Sequence, residues 1–456
     1  MKLSSDLVEL LISPKDGSAL SVGESLLRDA SGQNFPVTSN IPWVFESPDA
    51  TLSDWKNRFD HQCGQLLKSV EEIKYFQRDR LSLDATKKRV SQKLQALVEQ
   101  EKALKKLLSP LNVEYSEHTF IHETVGTKVP QQQSLMSYYS NAFRDWAWGA
   151  VENKQSLDIV GRCIPDDVAK GKILTLGAGS GRLSSDIHAA LSPKLSVLSD
   201  INPFLAFVGQ KMMLGKSIGL YEFPIAPKSV KDVSVLQKLQ SPHGKQDNIH
   251  YVFCDGLEPP FKSEAFDCVI TPWFVDIVPM DFAKLRAKIN RILKPGGVWV
   301  NFGSLVFTHA DPFLCYGVEE VEELVTSDGF EWLQSGREDV AYLHSPHSAQ
   351  QRDENIFYFS ARKTADSKVS SEKYNFLPEW ISGDNVTIPP IPPLENLIMM
   401  NFLFAELLSS IHQGSTIQSL GEALAPQLKL PVDQSKEIVR SLLTKVYEEH
   451  LYKRNF

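Results

Sequence analysis

ILTLGAGSGRLSSDI, residues 173–187, places an apolar run directly before three alternating glycines, and a helical pattern follows them. Gly177, Gly179 and Gly181 allow a tight backbone turn after a buried strand and leave no Cβ atom between the backbone and a ligand. The helix that follows presents free N–H groups at its N-terminus, where they attract an anionic or polar ligand. The stretch therefore predicts a strand–loop–helix unit with a ligand at its loop.

Two aspartates follow this loop at the ends of later apolar runs. Asp200 is placed to accept hydrogen bonds from both hydroxyls of a ribose, and Asp255, in YVFCDGLEPPF, is placed to receive an adenine amino group. Ligands of open α/β sheets bind at the carboxyl ends of the strands. The third glycine of GAGSG also comes one residue earlier than in the dinucleotide fingerprint. Together these features favour S-adenosylmethionine over NAD as the cofactor.

Strand-like and helical stretches alternate between residues 171 and 363. The strand-like runs are KILTLGAG, KLSVLSD, IHYVFCD, FDCVIT and GVWVNFGS, with a late pair near AYLHS and NIFYFSARK. Such alternation predicts an α/β fold, a Rossmann-like parallel sheet covered by helices. The interval from 208 to 248 is long for one helical crossover, so we expect an inserted excursion there, of the kind that often caps a site.

The rest of the chain divides by composition. We expect a small β-rich domain at residues 1–50, a helical connector at 51–134, the α/β domain at 135–364, a Pro-rich linker at 365–393 and a helical domain at 394–456. The first of these resembles the small zinc-ribbon domains found beside some methyltransferases, because ISPKDGSAL and FPVTSNIPWVF match the opening and closing segments of those domains apart from the cysteines. The cysteines of that pattern are missing, so no metal is expected.

Composition narrows the functional classes. The 456 residues carry a formal net charge of −8, which gives no general electrostatic reason to bind nucleic acid or an anionic membrane. No apolar run reaches the roughly 18 residues that a membrane span needs, and the five cysteines form no CxxC pair. The expectation is a cytoplasmic protein without a metal site whose partner is a small molecule; a homo-oligomer is left open.

Residues 266–307 contain the most specific resemblance. RILKPGGVWVNFG is similar to the helix–turn–strand of class I methyltransferases, and with FDCVITPWFVDIV it resembles the carnosine N-methyltransferase-like family. The upstream FRDWAW matches a segment of the same family. The resemblance covers about residues 135–363.

The resemblance implies roles for individual residues. Arg144 corresponds to a residue that clamps the cofactor, and Asp276 to the aspartate that binds the methyl acceptor. Tyr342 lies near a substrate-contacting tyrosine and His309 near a family histidine, whereas a second expected tyrosine is replaced near Glu354. Catalytic roles are therefore expected for Asp276, Tyr342 and His309.

The aromatic pair beside Asp276 has two interpretations. Trp273 and Phe274 either form a wall of the acceptor pocket or pack in the core, and we expect the first. The expected substrate-binding residues are therefore Trp273, Phe274, Asp276 and Tyr342.

The favoured hypothesis is methyl transfer to an imidazole nitrogen of a histidine derivative or dipeptide. Asp276 would accept the imidazole N–H and aim the other nitrogen at the methyl group. The alternatives are transfer to another small nucleophile (a thiol, amine or hydroxyl), a non-catalytic scaffold with this fold, and a tRNA or protein methyltransferase.

Overall fold

The computed structural model describes most of the chain. The described residues are 3–23, 26–77, 83–111, 133–278, 280–307, 312–368, 379–390, 407, 409–428 and 430–447. They fall into two compact units: the first consists of residues 1–114, 128–307 and 316–371, and the second of 115–127, 308–315 and 372–456.

The strands among the described residues belong to the first unit. They are β1 (Ser21–Val22), β2 (Leu26–Arg28), β3 (Asn34–Thr38), β4 (Ile41–Val44), β5 (Lys172–Leu176), β6 (Leu195–Asp200), β7 (Ile218–Glu222), β8 (Val235–Leu239), β9 (Ile249–Cys254), β10 (Phe266–Pro272), β11 (Leu293–Gly303), β12 (Phe330–Tyr342) and β13 (Arg352–Lys363).

The helices occur in both units. They are α1 (Ser5–Val8), α2 (Pro48–Gln77), α3 (Asp84–Leu107), α4 (Tyr139–Phe143), a π-helix (Arg144–Trp148), α5 (Ala150–Cys163), α6 (Asp166–Ala169), α7 (Arg182–Leu191), α8 (Pro203–Met213), α9 (Phe282–Ile292), α10 (Val318–Thr326), α11 (Glu379–Ser382), α12 (Ile417–Leu428) and α13 (Val432–Val446).

A large mixed sheet forms the centre of the first unit. Its strand order among the described residues is β1-β2-β3-β4-β9-β6-β5-β10-β11-β13-β12. The contacts from β4 through to β11 are parallel, and those that β13 makes with β11 and β12 are antiparallel. Because the carboxyl ends of the parallel strands share one edge, the glycine loop after β5 lies beside the ends of β6 and β10. The predicted α/β fold class is confirmed.

Alternate residues of the central strands enter two hydrophobic clusters, one on each face of the sheet. Leu174 and Val269 belong to the cluster that includes side chains of α9 and α10. Ile173 and Ile270 belong to the cluster that includes side chains of α5 and α7. A sheet covered on both faces explains why these strands read as continuous apolar runs.

The predicted excursion is a two-stranded antiparallel hairpin of β7 and β8, separate from the main sheet. Its backbone reaches the turn between β12 and β13: the Ala349 N–H donates to the Ala226 carbonyl at 2.7 Å and the Lys228 N–H to the His347 carbonyl at 3.1 Å. The His347 ring also contacts Asp232 at 2.9 Å. These contacts fix the excursion over the turn that follows Tyr342.

The N-terminal strands extend the central sheet. β4 pairs in parallel with β9, with Trp43 opposite Phe253, and the two rings lie 4.2 Å apart. Residues 1–50 therefore belong to the same compact unit as the α/β region. The resemblance of this segment to a zinc ribbon stays a prediction.

The second unit has a helical core of its own, to which α12 and α13 contribute Leu420, Leu424, Val439 and Leu442. Ile381 and Ile388, which lie in the segment predicted to be a linker, are buried in that core. Within the described ranges of both units, no helix is long and apolar enough to cross a membrane.

Replacing Gly181 by alanine is expected to lower the free energy of unfolding by about 3 kcal/mol. Gly181 has φ +81°, and a Cβ atom would lie 2.8 Å from both the Leu198 and Met213 side chains, and closer still to the Tyr251 hydroxyl. Gly179 is the matched control, because it has φ +57° but a Cβ there would meet nothing within 4 Å. Denaturant unfolding would contradict this if both alanine variants lost the same stability.

Candidate active site

The glycine loop has the conformation that its sequence requires. Gly177, Gly179 and Gly181 have φ values of +68°, +57° and +81°, a region that side-chain-bearing residues avoid. The Tyr251 hydroxyl, from β9, donates to the Gly179 carbonyl at 3.2 Å and supports the loop from the sheet. Because a Cβ atom on Gly179 would meet no atom within 4 Å, the loop presents an open face at that residue.

Asp200 ends β6 directly beside this loop. One carboxylate oxygen accepts from the Gly179 N–H at 2.7 Å, and the other accepts from the Asn202 N–H at 2.8 Å. Burial raises the pKa of the Asp200 carboxyl above its ordinary value, while these two N–H groups act to lower it. Each carboxylate oxygen keeps a second lone pair, so Asp200 can still accept two ribose hydroxyls.

Phe274 lies between the glycine loop and the loop that carries Asp255. A Cβ atom on Gly177 would be 2.7 Å from the Phe274 ring, and one on Gly256 would also be 2.7 Å from it. Asp255 accepts from the Leu257 N–H at 2.9 Å, which shapes the second loop. Phe274 therefore packs against two glycines at the cofactor edge of the sheet and is only 9% exposed.

The π-helix is hydrogen-bonded to the glycine loop through a buried carboxylate. Asp145 accepts from the Ser180 hydroxyl at 2.5 Å and forms an ion pair with Arg144 at 2.7 Å. Trp146 adds a bond from its indole N–H to the Ser180 carbonyl at 3.0 Å. Burial alone would lower the pKa of the Arg144 guanidinium, but the charge and hydrogen bond of Asp145, together with Tyr342 and Glu152, outweigh it and raise that pKa. Arg144 is therefore a fixed positive charge beside the loop.

Trp273 and Arg144 both lie beside the ring of Tyr342. The Trp273 and Tyr342 rings lie 5.1 Å apart, and the Arg144 guanidinium is 5.8 Å from the Tyr342 ring. Trp273 has φ +50°, and backbone strain of this kind is concentrated at functional sites. Arg352, which is opposite Tyr342 in the β12–β13 register, stacks on its ring at 4.3 Å.

Glu152 holds the end of β12 in place. Its carboxylate accepts from the Leu343 N–H at 3.1 Å and the His344 N–H at 2.9 Å. Glu152 is buried on α5, so these bonds tie the turn after Tyr342 to the helix that follows the π-helix. The position of the Tyr342 ring therefore depends on α5.

Asp276 has a carboxylate with one satisfied and one unsatisfied oxygen. Its Oδ2 accepts from the Ser304 hydroxyl and the Val306 N–H, both at 2.9 Å. Its Oδ1 is buried and has no hydrogen-bond partner among the described residues. The side chain is only 5% exposed. A buried carboxylate oxygen without a donor is costly, so this atom is suited to receive a donor from a ligand.

The structure brings together most of the residues that the sequence singled out. His309 lies outside the described residues, so its role stays a prediction, and Glu354, near the replaced tyrosine, forms an ion pair with Arg352 at 2.9 Å. The described residues contain no cluster of three or more histidine, cysteine, aspartate or glutamate side chains that could hold a metal ion.

Sequence reasoning missed several supporting residues. Asp145 is adjacent to Arg144 in FRDWAW, and its charge was a visible signal. Ser304 and Glu152 carried no such signal, because their partners are distant in the sequence. Ser180, as the middle residue of GSG, gave no indication that its hydroxyl holds the π-helix.

Replacing Asp145 by alanine is expected to cost about 3 kcal/mol of unfolding free energy, because it leaves Arg144 without its buried partner. Denaturant unfolding measures this. Asp158→Ala on α5 is the control: the Asp158–Lys154 pair is exposed, so its loss is expected to cost less than about 0.5 kcal/mol. Equal effects for the two variants would show that the Asp145 bonds add nothing.

Comparison with known proteins identifies a matching family. The family model that matches the chain, described as carnosine N-methyltransferase, spans residues 121–365. A carnosine N-methyltransferase of Dictyostelium discoideum is 25% identical over 263 residues, 53% of this chain and 55% of that protein. Carnosine N-methyltransferase unmet of Drosophila melanogaster is 27% identical over 266 residues, 52% of this chain and 56% of that protein. The chain spans about half the length of these curated relatives.

Among solved structures, the chain is similar to Haemonchus contortus phosphoethanolamine N-methyltransferase 2 in complex with S-adenosyl-L-methionine. The identity is 16%, the TM-score is 0.33, and the match covers 56% of this chain and 61% of the other.

The residues present fit S-adenosylmethionine. The open face at Gly179 admits a ligand close to the backbone, and Asp200 offers carboxylate oxygens beside it. The family match covers more than half of the chain. The protein therefore belongs to the carnosine N-methyltransferase family.

Proposed function

We propose that this protein methylates an imidazole nitrogen of a small histidine-containing molecule, with the dipeptide carnosine as its first candidate substrate. The observation that carries the proposal is the buried Oδ1 atom of Asp276, which lacks a donor among the described residues. Membership of the family supports the same substrate class. The curated relatives are named for carnosine.

A neutral imidazole matches this carboxylate. With a pKa near 6.5, imidazole is mostly neutral at about pH 7 and carries one N–H and one lone pair. If Asp276 Oδ1 accepts the N–H, the tautomer is fixed and the lone pair is on the other nitrogen. The negative charge also stabilises the positive charge that the ring gains on methylation. Asp276 therefore orients the acceptor and stabilises the product cation.

The remaining site residues position the donor and exclude water. S-adenosylmethionine supplies a methyl group that its sulfonium has already activated. In the transfer, the N–CH3 bond would form as the S–CH3 bond breaks, and the sulfur would keep the electron pair of the broken bond. The glycine loop and Asp200 hold the nucleoside, and Trp273 and Tyr342 shield the reacting atoms, so in-line alignment carries most of the catalysis. The methylated ring then loses its N–H proton to solvent as the product leaves.

The other expectations remain proposals. A small-molecule partner is supported by the net charge of −8, which does not favour binding to nucleic acid or anionic membranes, and a cytoplasmic location remains a proposal.

The test is an assay of the purified protein with S-adenosylmethionine and carnosine. We expect carnosine methylated on an imidazole nitrogen, located by NMR, and no turnover of the matched dipeptide in which alanine replaces histidine. Methylation of thiols, amines or hydroxyls instead would select the alternative acceptor class. Cofactor binding without turnover of any of these would indicate a scaffold.

A further inference from the structure

Tyr138 has an unusual backbone conformation at the edge of the candidate site. It has φ +60°, in the left-handed region that bulky residues rarely adopt, directly before α4. Its side chain is 48% exposed, so core packing does not account for the strain. Residues held in this way are concentrated where a side chain must point at a ligand.

The turn that carries Tyr138 is fixed beside the cofactor site. The Asn202 side-chain amide donates to the carbonyls of Leu135 and Ser137 at 3.4 and 3.5 Å. The Asn202 backbone N–H donates to Asp200. One residue therefore links the turn before Tyr138 to the carboxylate expected to hold the ribose.

The neighbouring tyrosine anchors the turn on its inner side. The Tyr139 ring packs at 4.9 Å from Phe143 and 5.2 Å from Phe204, and its hydroxyl donates to the Tyr221 carbonyl at 2.6 Å. With Tyr139 fixed in the interior, the turn holds Tyr138 in one place at the surface.

Tyr138 lies close enough to residues of both halves of the site to interact electrostatically with them. Burial, then Tyr342, Asp200 and Asp276, raise the pKa of its phenol above the ordinary value. The hydroxyl therefore stays protonated at neutral pH and can donate a hydrogen bond. No described residue is its hydrogen-bond partner, so the donor is available to a ligand.

We propose that Tyr138 is an acceptor-recognition residue, whose hydroxyl donates a hydrogen bond to a carbonyl or carboxylate oxygen of the methyl acceptor outside its imidazole ring. This inference rests on the proposed function. Asp276 orients the ring, and Tyr138 binds the rest of the molecule, so the two residues together select a histidine dipeptide over a bare imidazole.

The test compares Tyr138→Phe with wild type on carnosine and on imidazole itself, which has no such oxygen. We expect the KM for carnosine to rise about tenfold, the effect of one lost hydrogen bond of about 1.4 kcal/mol. The kcat on carnosine, the Kd for S-adenosylhomocysteine and kcat/KM on imidazole should stay within about twofold of wild type. An unchanged Kd for S-adenosylhomocysteine also shows that the variant is folded.

Tyr75→Phe is the matched control, because Tyr75 on α2 is 68% exposed and lies outside the site residues; its KM should equal that of wild type. The inference would be overturned if Tyr138→Phe left the KM for carnosine unchanged, or if it lowered kcat/KM on imidazole as much as on carnosine. In either case, wild-type activity on carnosine would still uphold the proposed function. A wild type that methylates neither carnosine nor imidazole would overturn both.

Discussion

Replacing Asp276 by asparagine is expected to lower kcat on carnosine on the order of 100-fold, the loss typical of removing one group that stabilises transition-state charge. The Val306 N–H at 2.9 Å requires an acceptor at the Oδ2 position. The asparagine carbonyl will therefore take that position and leave its NH2 where Oδ1 stood. A donor then meets the imidazole N–H, and the charge that stabilises the product cation is gone.

Two measurements separate this loss of kcat from a change in the binding site of the methyl donor. The Kd for S-adenosylhomocysteine should stay within about twofold of wild type, because Asp276 is not expected to contact the cofactor. Ser304→Ala, which removes one of the two bonds to Oδ2, should lower kcat only a few fold. Near-normal kcat in Asp276→Asn would exclude the orienting role and favour a different acceptor class.

Asp200→Ala is expected to weaken binding of S-adenosylhomocysteine about 100-fold. Two ribose hydroxyls would lose charge-assisted hydrogen bonds, and a loss of about 2.7 kcal/mol corresponds to that factor. The Gly179 N–H would also lose its 2.7 Å acceptor, which loosens the loop. Isothermal titration calorimetry measures the Kd directly.

Asp247 provides the control for this variant. It is exposed, pairs with Lys245 and precedes β9, at the end of the strand away from the site. Asp247→Ala should bind the cofactor product like wild type. Unaltered affinity in Asp200→Ala would mean that the ribose is held elsewhere.

The sequence was sufficient for the parts of the molecule that depend on local patterns. The glycine loop, its strand and helix, and the placement of Asp200 after the next strand follow from periodicity and from the shared edge of parallel strands. The excursion was predicted from its length, although its hairpin form was not.

Features that depend on distant pairing were not visible. Nothing in IPWV indicates that β4 would pair with β9 rather than close a separate domain, because strand partners are not encoded locally. The bond from Ser180 to Asp145 spans 35 positions. The left-handed φ of Trp273 and Tyr138 could not be predicted, because neither residue type favours that region.

The central claim is that Asp276 Oδ1 receives the N–H of an imidazole whose other nitrogen faces the methyl donor. A crystal structure with S-adenosylhomocysteine and carnosine bound tests it directly. We predict the nucleoside at the Gly177–Gly181 loop, an imidazole nitrogen about 3 Å from Oδ1 and the second ring nitrogen directed at the sulfur. An imidazole bound away from Asp276, or a nucleoside bound away from the loop, would contradict the account.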